Sequence, residues 1–183
     1  MCGIIGFNWE DALLLRKALE AIEHRGPDSS GTFTDKGISL GHRRLSIIDL
    51  SRAGKQPMSN ESGDSWIIFN GEIYNFEKLK SQLKKKHIFK SGTDTELLIH
   101  LYEEQGEAMV SSLEGMFAFC IYDSQKKTLF LARDKAGIKP LYYHTQEKKF
   151  LFCSEIKGIL EDARIKREVN TEALPSYLMF RAN

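Results

Sequence analysis

Between Met116 and Tyr122, Phe117, Phe119 and Ile121 alternate with Ala118, Cys120 and Tyr122, and a Ser-Gln-Lys turn leads the chain into Thr128 to Ala132. Successive side chains of a strand point to opposite faces, so this spacing predicts an antiparallel hairpin. Leu141 to His144 and Phe150 to Cys153 form a second hairpin candidate. Residues 2 to 7 make a short apolar strand, and strand patterns return from Thr32 to Asp49 and from Trp66 to Ile73. Helical spacing of leucines runs from Asp11 to Glu23 until Gly26-Pro27 stops it, and further helices are predicted at Phe76 to Lys86 and Thr95 to Glu104. Helices near Glu155 to Leu160 and Thr171 to Phe180 close the chain. Strands in the middle with helices between and after them predict an α+β fold, two packed antiparallel sheets covered by helices. No Gly-, Ser- or Pro-rich linker and no repeat divides residues 1–183, so a single domain is expected. The last helical pattern runs into Phe180-Arg181-Ala182-Asn183 without a stop signal, which suggests a piece of a longer polypeptide.

A chain of 183 residues can bury roughly two-thirds or more of its unfolded surface, so no covalent staple is needed. With 42% hydrophobic and 28% charged residues, and no apolar run near the ~18 residues of a membrane span, a soluble protein without a membrane partner is expected. Met1 to Phe7 has neither a basic leader nor a long apolar core, which argues against a secretory signal and for the cytoplasm. Three cysteines without metal spacing fit free thiols in a reducing compartment, and Cys120 and Cys153, inside apolar strand patterns, read as buried structural thiols. The histidines at 24, 42, 87, 100 and 144 form no HExxH or paired Cys/His spacing, so no metal site is expected. A net charge of +1 removes the whole-chain electrostatic case for nucleic acid. The lysines at 78, 80, 84, 85 and 86 surround Leu79 and Leu83, as on the solvated side of an amphipathic helix.

Cys2 directly follows the initiator methionine and is small enough for Met1 to be trimmed, which leaves a thiol and a free α-amine on one residue. An α-amine has a pKa of about 7.7–8.0, so near neutrality it can take the thiol proton and later return one to a leaving amine. Standing alone, a cysteine at position 2 is more often incidental.

Seven segments change that weighting: MCGI at Met1 to Ile4, HRGPDSSG at His24 to Gly31, GHRRLSIIDLS at Gly41 to Ser51, FNGEIYNF at Phe69 to Phe76, SGTDTE at Ser91 to Glu96, ARDKAGIKPLYY at Ala132 to Tyr143 and SEIKG at Ser154 to Gly158. In content and order they resemble the class II glutamine amidotransferases, which are N-terminal nucleophile hydrolases, and among them the glutaminase domains of glutamine-hydrolysing asparagine synthetases. The resemblance spans nearly the whole chain and implies a four-layer αββα sandwich that hydrolyses the side-chain amide of L-glutamine through a Cys2 thioester. It places Asn70 and Gly71 in an oxyanion hole, and Arg44 and Asp94 on the α-carboxylate and α-ammonium of glutamine. Leu45, Ser46, Ile47, Ile48 and Glu72 complete the substrate-binding set, while Arg25 and Asp28 orient the N-terminal segment. It further implies that the ammonia serves asparagine synthesis in a C-terminal ATP-pyrophosphatase domain, where ATP and Mg would bind. This domain itself should need no cofactor, and a homodimer is conceivable.

Local chemistry offers plainer readings of the same residues. An Asn-Gly pair between strands often makes a type I′ hairpin turn. Asp94 could cap a helix starting near Thr95, and Asp28 could close an Asx turn after Pro27. Arg43 and Arg44 are adjacent, and only the resemblance selects Arg44. For the whole chain, a glutaminase serving another amidation, or a noncatalytic interaction module on the same scaffold, are the competing readings.

Overall fold

The computed structural model describes residues 1–46, 52–83 and 87–180. Two antiparallel sheets form the centre. The first has five strands in the order β2-β3-β1-β9-β8, with β1 at Gly3–Phe7, β2 at Ser29–Asp35, β3 at Ile38–Arg44, β8 at Tyr142–Gln146 and β9 at Lys149–Cys153. The second has four, β4-β5-β6-β7, with β4 at Met58–Ser59, β5 at Ser65–Ile73, β6 at Gly115–Asp123 and β7 at Thr128–Arg133. The hairpin expected from the 116–122 alternation is β6–β7, and the second is β8–β9. The Thr32–Asp49 region divides at Lys36-Gly37, where Gly37 takes a φ of 82°, a value glycine adopts without steric cost. β3 ends at Arg44, Leu45 and Ser46 are not in strand, and residues 47–51 lie outside the described residues.

The alternating apolar residues sort into three buried clusters, and these define the layers. Ile4, Ile38, Leu40, Phe152, Ile68, Ala118, Cys120 and Tyr122 fill the space between the sheets. On the outer face of the first sheet, Ile5, Phe7, Leu151 and Cys153 meet Leu14, Leu15, Ala18 and Leu19 of α1, Ala12–Ala21, and Ile159 of α4, Ile156–Ile159. On the outer face of the second, Ile67, Phe69, Phe117, Phe119 and Ile121 meet α2, Phe76–Leu83, and α3, Asp94–Gln105. The order is helix, sheet, sheet, helix, the four-layer αββα sandwich expected. Fully burying an aliphatic or aromatic side chain contributes about 1.5–3 kcal/mol, and the period-2 register ties that gain to a single alignment of each strand. Cys120 and Cys153 are both buried and free, as expected. Burial pushes the Cys153 thiol up to about 12, so neither interior thiol is a nucleophile at neutral pH.

Three helix boundaries move for local reasons. The Asp11 carboxylate accepts from the Leu14 N–H at 2.9 Å, so α1 starts at Ala12; it ends at Ala21, and Glu23, expected as its last residue, begins a 3-10 turn at Glu23–Arg25. α2 is described to Leu83, and Lys84, Lys85 and Lys86 lie outside the described residues. α3 begins at Asp94 with Thr93 in the capping position, so Asp94 is the first helical residue and not the cap. α5, Leu174–Phe180, ends the described chain with Leu178, Met179 and Phe180 exposed. Among the described residues, no helix is long and apolar enough to cross a membrane.

Candidate active site

Cys2 precedes β1, and the β1–β3 register, with Gly3 opposite Arg43, carries Arg44 and Leu45 alongside it. The Leu45 N–H points at Cys2 Sγ at 3.4 Å, and the thiol lies 3.6 Å from the Leu45 carbonyl as a donor. Two further residues fix this corner. Arg25 is buried and donates from Nε to the Cys2 carbonyl at 2.9 Å, while its Nη1 reaches Glu155 at 3.0 Å. Burial opposes ionisation of Glu155, but hydrogen bonds from Arg25, His24 and Lys157 outweigh it and hold the carboxyl at about 2. Asp28 accepts from the Ser46 N–H at 2.8 Å and its own N–H donates to the Arg44 carbonyl at 3.2 Å, tying the Arg44–Ser46 segment to the loop after Pro27. That loop lies against β3 because residue 26 is glycine: a Cβ there would overlap the backbone of Arg43 and Arg44.

From the second sheet, β5 supplies Asn70 and Gly71. Both lie inside the strand, paired with Ala118 and Phe117, so the Asn-Gly pair is not a hairpin turn. Asn70 shares the inner face with Ile68, and its side-chain amide is buried with no hydrogen-bond partner on Nδ2. The direction of the Gly71 N–H follows from its neighbours. Phe117 gives its N–H and its carbonyl to Asp134, at 3.2 and 2.8 Å, and so faces away from β5. Gly71 and Phe117 are therefore a non-hydrogen-bonded pair. The Gly71 N–H then lies on the same strand edge as those of Phe69 and Ile73, which donate to Gln56 Oε1 at 2.6 Å and to Asp94 Oδ2 at 3.2 Å. A buried amide without a partner costs roughly 1–3 kcal/mol, and a group of this kind calls for an explanation such as a catalytic role or a bound water or ion.

A cavity of about 150 Å³ joins these groups, lined among others by Cys2, Leu45, Asn70, Gly71, Arg44 and Asp94. It is smaller than the ~300–1,000 Å³ of drug-sized sites, a size suited to an amino acid. Arg44 is buried at the end of β3, and its guanidinium lies so close over Gly54 that a Cβ at 54 would come within 2.5 Å of Nη2. Asp94 is also buried; loss of solvent raises its carboxyl from the ordinary 3.8 to about 6, nearby Glu72 adds to the rise, and N–H groups of Ile73, Asp94 and Thr95 oppose it. Arg44 and Asp94 thus bring opposite charges to a small cavity that also holds a thiol and a buried amide donor. His42, beneath the site, is held neutral: burial drops its pKa to about 3 and Arg44 adds to the effect, while its ring nitrogen contacts the Phe69 carbonyl at 3.1 Å.

Glu72 lines the same cavity; Ser46 contacts Asp28 but does not line it; Ile47 and Ile48 lie outside the described residues. The structure adds residues to which the sequence assigned no role. Gln56 bridges the Phe69 N–H to Thr95 Oγ1, at 2.6 and 3.0 Å, and so joins β5 to the start of α3. Lys139 is buried at the cavity wall with Nζ 3.7 Å from the Met1 sulfur, on a loop clipped by Asp134 through the Ile138 and Lys139 N–H groups. Its motif, ARDKAGIKPLYY, was visible, but only the fold brings residue 139 to residue 1.

The model of the glutamine amidotransferase domain matches residues 1–183, and the chain belongs to that family. Among its relatives, asparagine synthetase [glutamine-hydrolyzing] 1 of Bacillus subtilis is 43% identical over 190 residues, covering 99% of this chain and 30% of that protein. Asparagine synthetase B [glutamine-hydrolyzing] of Escherichia coli is 41% identical over 175 residues, covering 92% of this chain and 31% of that protein. The chain therefore spans about a third of the length of these relatives. Of solved structures, glutamine phosphoribosylpyrophosphate amidotransferase of B. subtilis shares the fold, with a TM-score of 0.73 at 24% identity over 86% of this chain and 43% of that one.

Proposed function

We propose that this glutamine amidotransferase domain cleaves glutamine by the N-terminal-nucleophile route and that the ammonia serves asparagine synthesis. The observation that carries the reading is the buried, unpartnered Asn70 amide on the cavity that also holds the Cys2 thiol. With Met1 removed, the α-amine of Cys2 takes the thiol proton and the sulfur attacks the side-chain carbonyl carbon of glutamine. The carbonyl oxygen becomes an oxyanion, stabilised by Asn70 Nδ2 and the Gly71 N–H, and such donors typically supply about 10²–10³ in rate. The amine returns the proton to the leaving nitrogen, ammonia departs, and water hydrolyses the γ-glutamyl thioester to glutamate and free thiol. Arg44 binds the α-carboxylate in a charge-assisted pair and Asp94, ionised, binds the α-ammonium. Leu45, Ser46, Ile47, Ile48 and Glu72 form the rest of the glutamine site, and Arg25 and Asp28 position the N-terminal segment.

Asparagine as the product rests on the names of the relatives, and it requires a further ATP-dependent domain of the same polypeptide that converts aspartate. The free thiols suit a reducing cytoplasm. Two measurements test the reading. One compares a form carrying a single extra residue before Cys2 with the same protein after that residue is proteolytically removed. Ammonia release should be absent in the first and recovered in the second; turnover in an extended form verified intact by mass spectrometry would show that another group takes the proton. The other assays the full polypeptide with glutamine, aspartate and ATP, where asparagine should accumulate with glutamate. Glutamate without asparagine would assign another acceptor.

A further inference from the structure

Around the carboxyl half of α3, on the helix-covered side of the second sheet, four side chains from three segments converge. Glu61 comes from the turn after β4, His87 from the segment after α2, and His100 and Glu103 from one turn of α3. One potential ligand atom from each lies within 4.8 Å of all the others. His100 Nδ1 is 2.9 Å from Glu103 Oε2 and 3.7 Å from Glu61 Oε2, and His87 Nδ1 is 3.7 Å from Glu103 Oε2. A tetrahedral zinc ion with bonds of about 2.0–2.1 Å holds neighbouring ligand atoms about 3.3 Å apart. The three separations of 2.9, 3.7 and 3.7 Å bracket that value, and the remaining pairs lie within 4.8 Å, so side-chain adjustment on binding would have to draw those atoms together.

The surroundings support the same assignment. Histidines that bind a metal usually turn their second nitrogen toward a carboxylate, which fixes ring and tautomer. His87 Nε2 faces Glu104 Oε1 at 3.2 Å, and His100 Nε2 faces Glu96 Oε1 at 3.9 Å. The second oxygen of Glu103 is held by Asn60 Nδ2 at 2.9 Å. Asn60 in turn accepts the Asp64 and Ser65 N–H groups through Oδ1, at 3.1 Å each, and so also fixes the turn that carries Glu61. His100 is 2% exposed, and its Nε2 is buried without a hydrogen-bond partner. The Nδ1 side of His100 is the one turned toward the carboxylates of Glu103 and Glu61, so it is the nitrogen available to a metal. The two imidazole rings are stacked with centroids 4.3 Å apart, and the Phe89 ring packs edge-on against His100 at 5.0 Å, walling one side.

We propose that Glu61, His87, His100 and Glu103 form a binding site for one divalent transition-metal ion of the zinc class, separate from the glutamine cavity. Two imidazoles with two carboxylates suit zinc and its neighbours, whereas magnesium and calcium take oxygen ligands alone. The ion would pin the Glu61 turn and the His87 segment to α3, whose first residue is Asp94. The sequence expected no metal because the ligands lie at positions 61, 87, 100 and 103, a spacing that matches no linear motif.

The test titrates Zn²⁺ into metal-free protein by calorimetry, in a Cys2→Ala background so that the accessible thiol does not compete. One equivalent should bind, and thermal unfolding should move to higher temperature with zinc. Glu61→Gln and His87→Gln each remove one ligand at a partly solvated position and should lower affinity at least about tenfold with unchanged circular dichroism, since even outer partners of a site contribute about 10–100-fold. His144→Gln, on the other sheet, should bind as before. Co²⁺ in the same background should give the visible spectrum of tetrahedral nitrogen and oxygen ligation. Absence of saturable binding, or equal affinity in folded Glu61→Gln and His87→Gln proteins, would overturn the site and leave a hydrogen-bonded acid–imidazole cluster.

Discussion

Replacing Asp94 by asparagine should make the protein more stable at neutral pH while removing its grip on glutamine. Asp94 sits at the start of α3 with its carboxylate on the Ile73 N–H, and an asparagine carbonyl can accept the same hydrogen bond. What changes is the charge. Burial raises the carboxyl from 3.8 to about 6 in the folded chain, so the folded protein holds this proton more tightly than the unfolded chain does. The associated stability is present in full below 3.8 and is lost as pH rises through about 6. At about 1.4 kcal/mol per pH unit, that interval corresponds to at most about 3 kcal/mol of penalty at pH 7.5. The Asp94→Asn variant carries no such penalty, and after allowing for an imperfectly satisfied amide the expected gain is about 1–3 kcal/mol. In a domain of this size each kcal/mol moves Tm by roughly 2–4 °C. Thermal unfolding of both proteins across pH 4 to 7.5 should show Tm curves that nearly meet at the acid end, diverge between about 4 and 6, and run parallel above that. The same carboxylate is the proposed partner of the substrate ammonium, so KM for glutamine should rise in the variant by about 10–100-fold, the equivalent of about 1.5–3 kcal/mol for a hydrogen bond to a charged group. The wild-type KM should also climb as pH falls below about 6. A variant less stable than wild type at pH 7.5, or a Tm difference independent of pH, would refute the electrostatic account of this residue.

Two further substitutions separate the ends of the cavity. Asn70→Ala should lower kcat by about 10²–10³ without lowering Tm, because the donor it removes is unpartnered in the folded chain and is proposed to act on the oxyanion, and a normal kcat would remove Asn70 from that role. Arg44→Ala should chiefly raise KM, the signature of a contact made equally to substrate and transition state. Gly54→Ala should do the same more weakly, since the added Cβ meets the Arg44 guanidinium; an unchanged KM would mean that the guanidinium finds an equivalent position.

How much of this was legible in the sequence depends on which interactions are local. Strand alternation in residues 116–122 and the turn after it depend on neighbouring residues, and the β6–β7 hairpin appears where the pattern put it. Ends of elements depend on partners elsewhere: β4 is two residues long and exists through pairing of Met58 and Ser59 with Ile67 and Trp66, and the local pattern carries no trace of it. The Asn70-Gly71 pair shows where local rules fail. Two-residue statistics favour a turn, yet β6 pairs with β5 on both sides of the dipeptide and the strand runs through it. That override leaves a buried Nδ2 without a partner, a cost that local structure does not require and that the proposed oxyanion role would explain. Asp94 follows the same logic. Its position at the first turn of a helix satisfies local capping preferences for an acid, but only the fold places Glu72 and a buried wall around it and lifts its pKa to about 6. The proposed chemistry of the site therefore falls on residues at which local preference and observed environment disagree, and the single-ion site proposed around His100, whose buried Nε2 has no hydrogen-bond partner, is a third case of that kind.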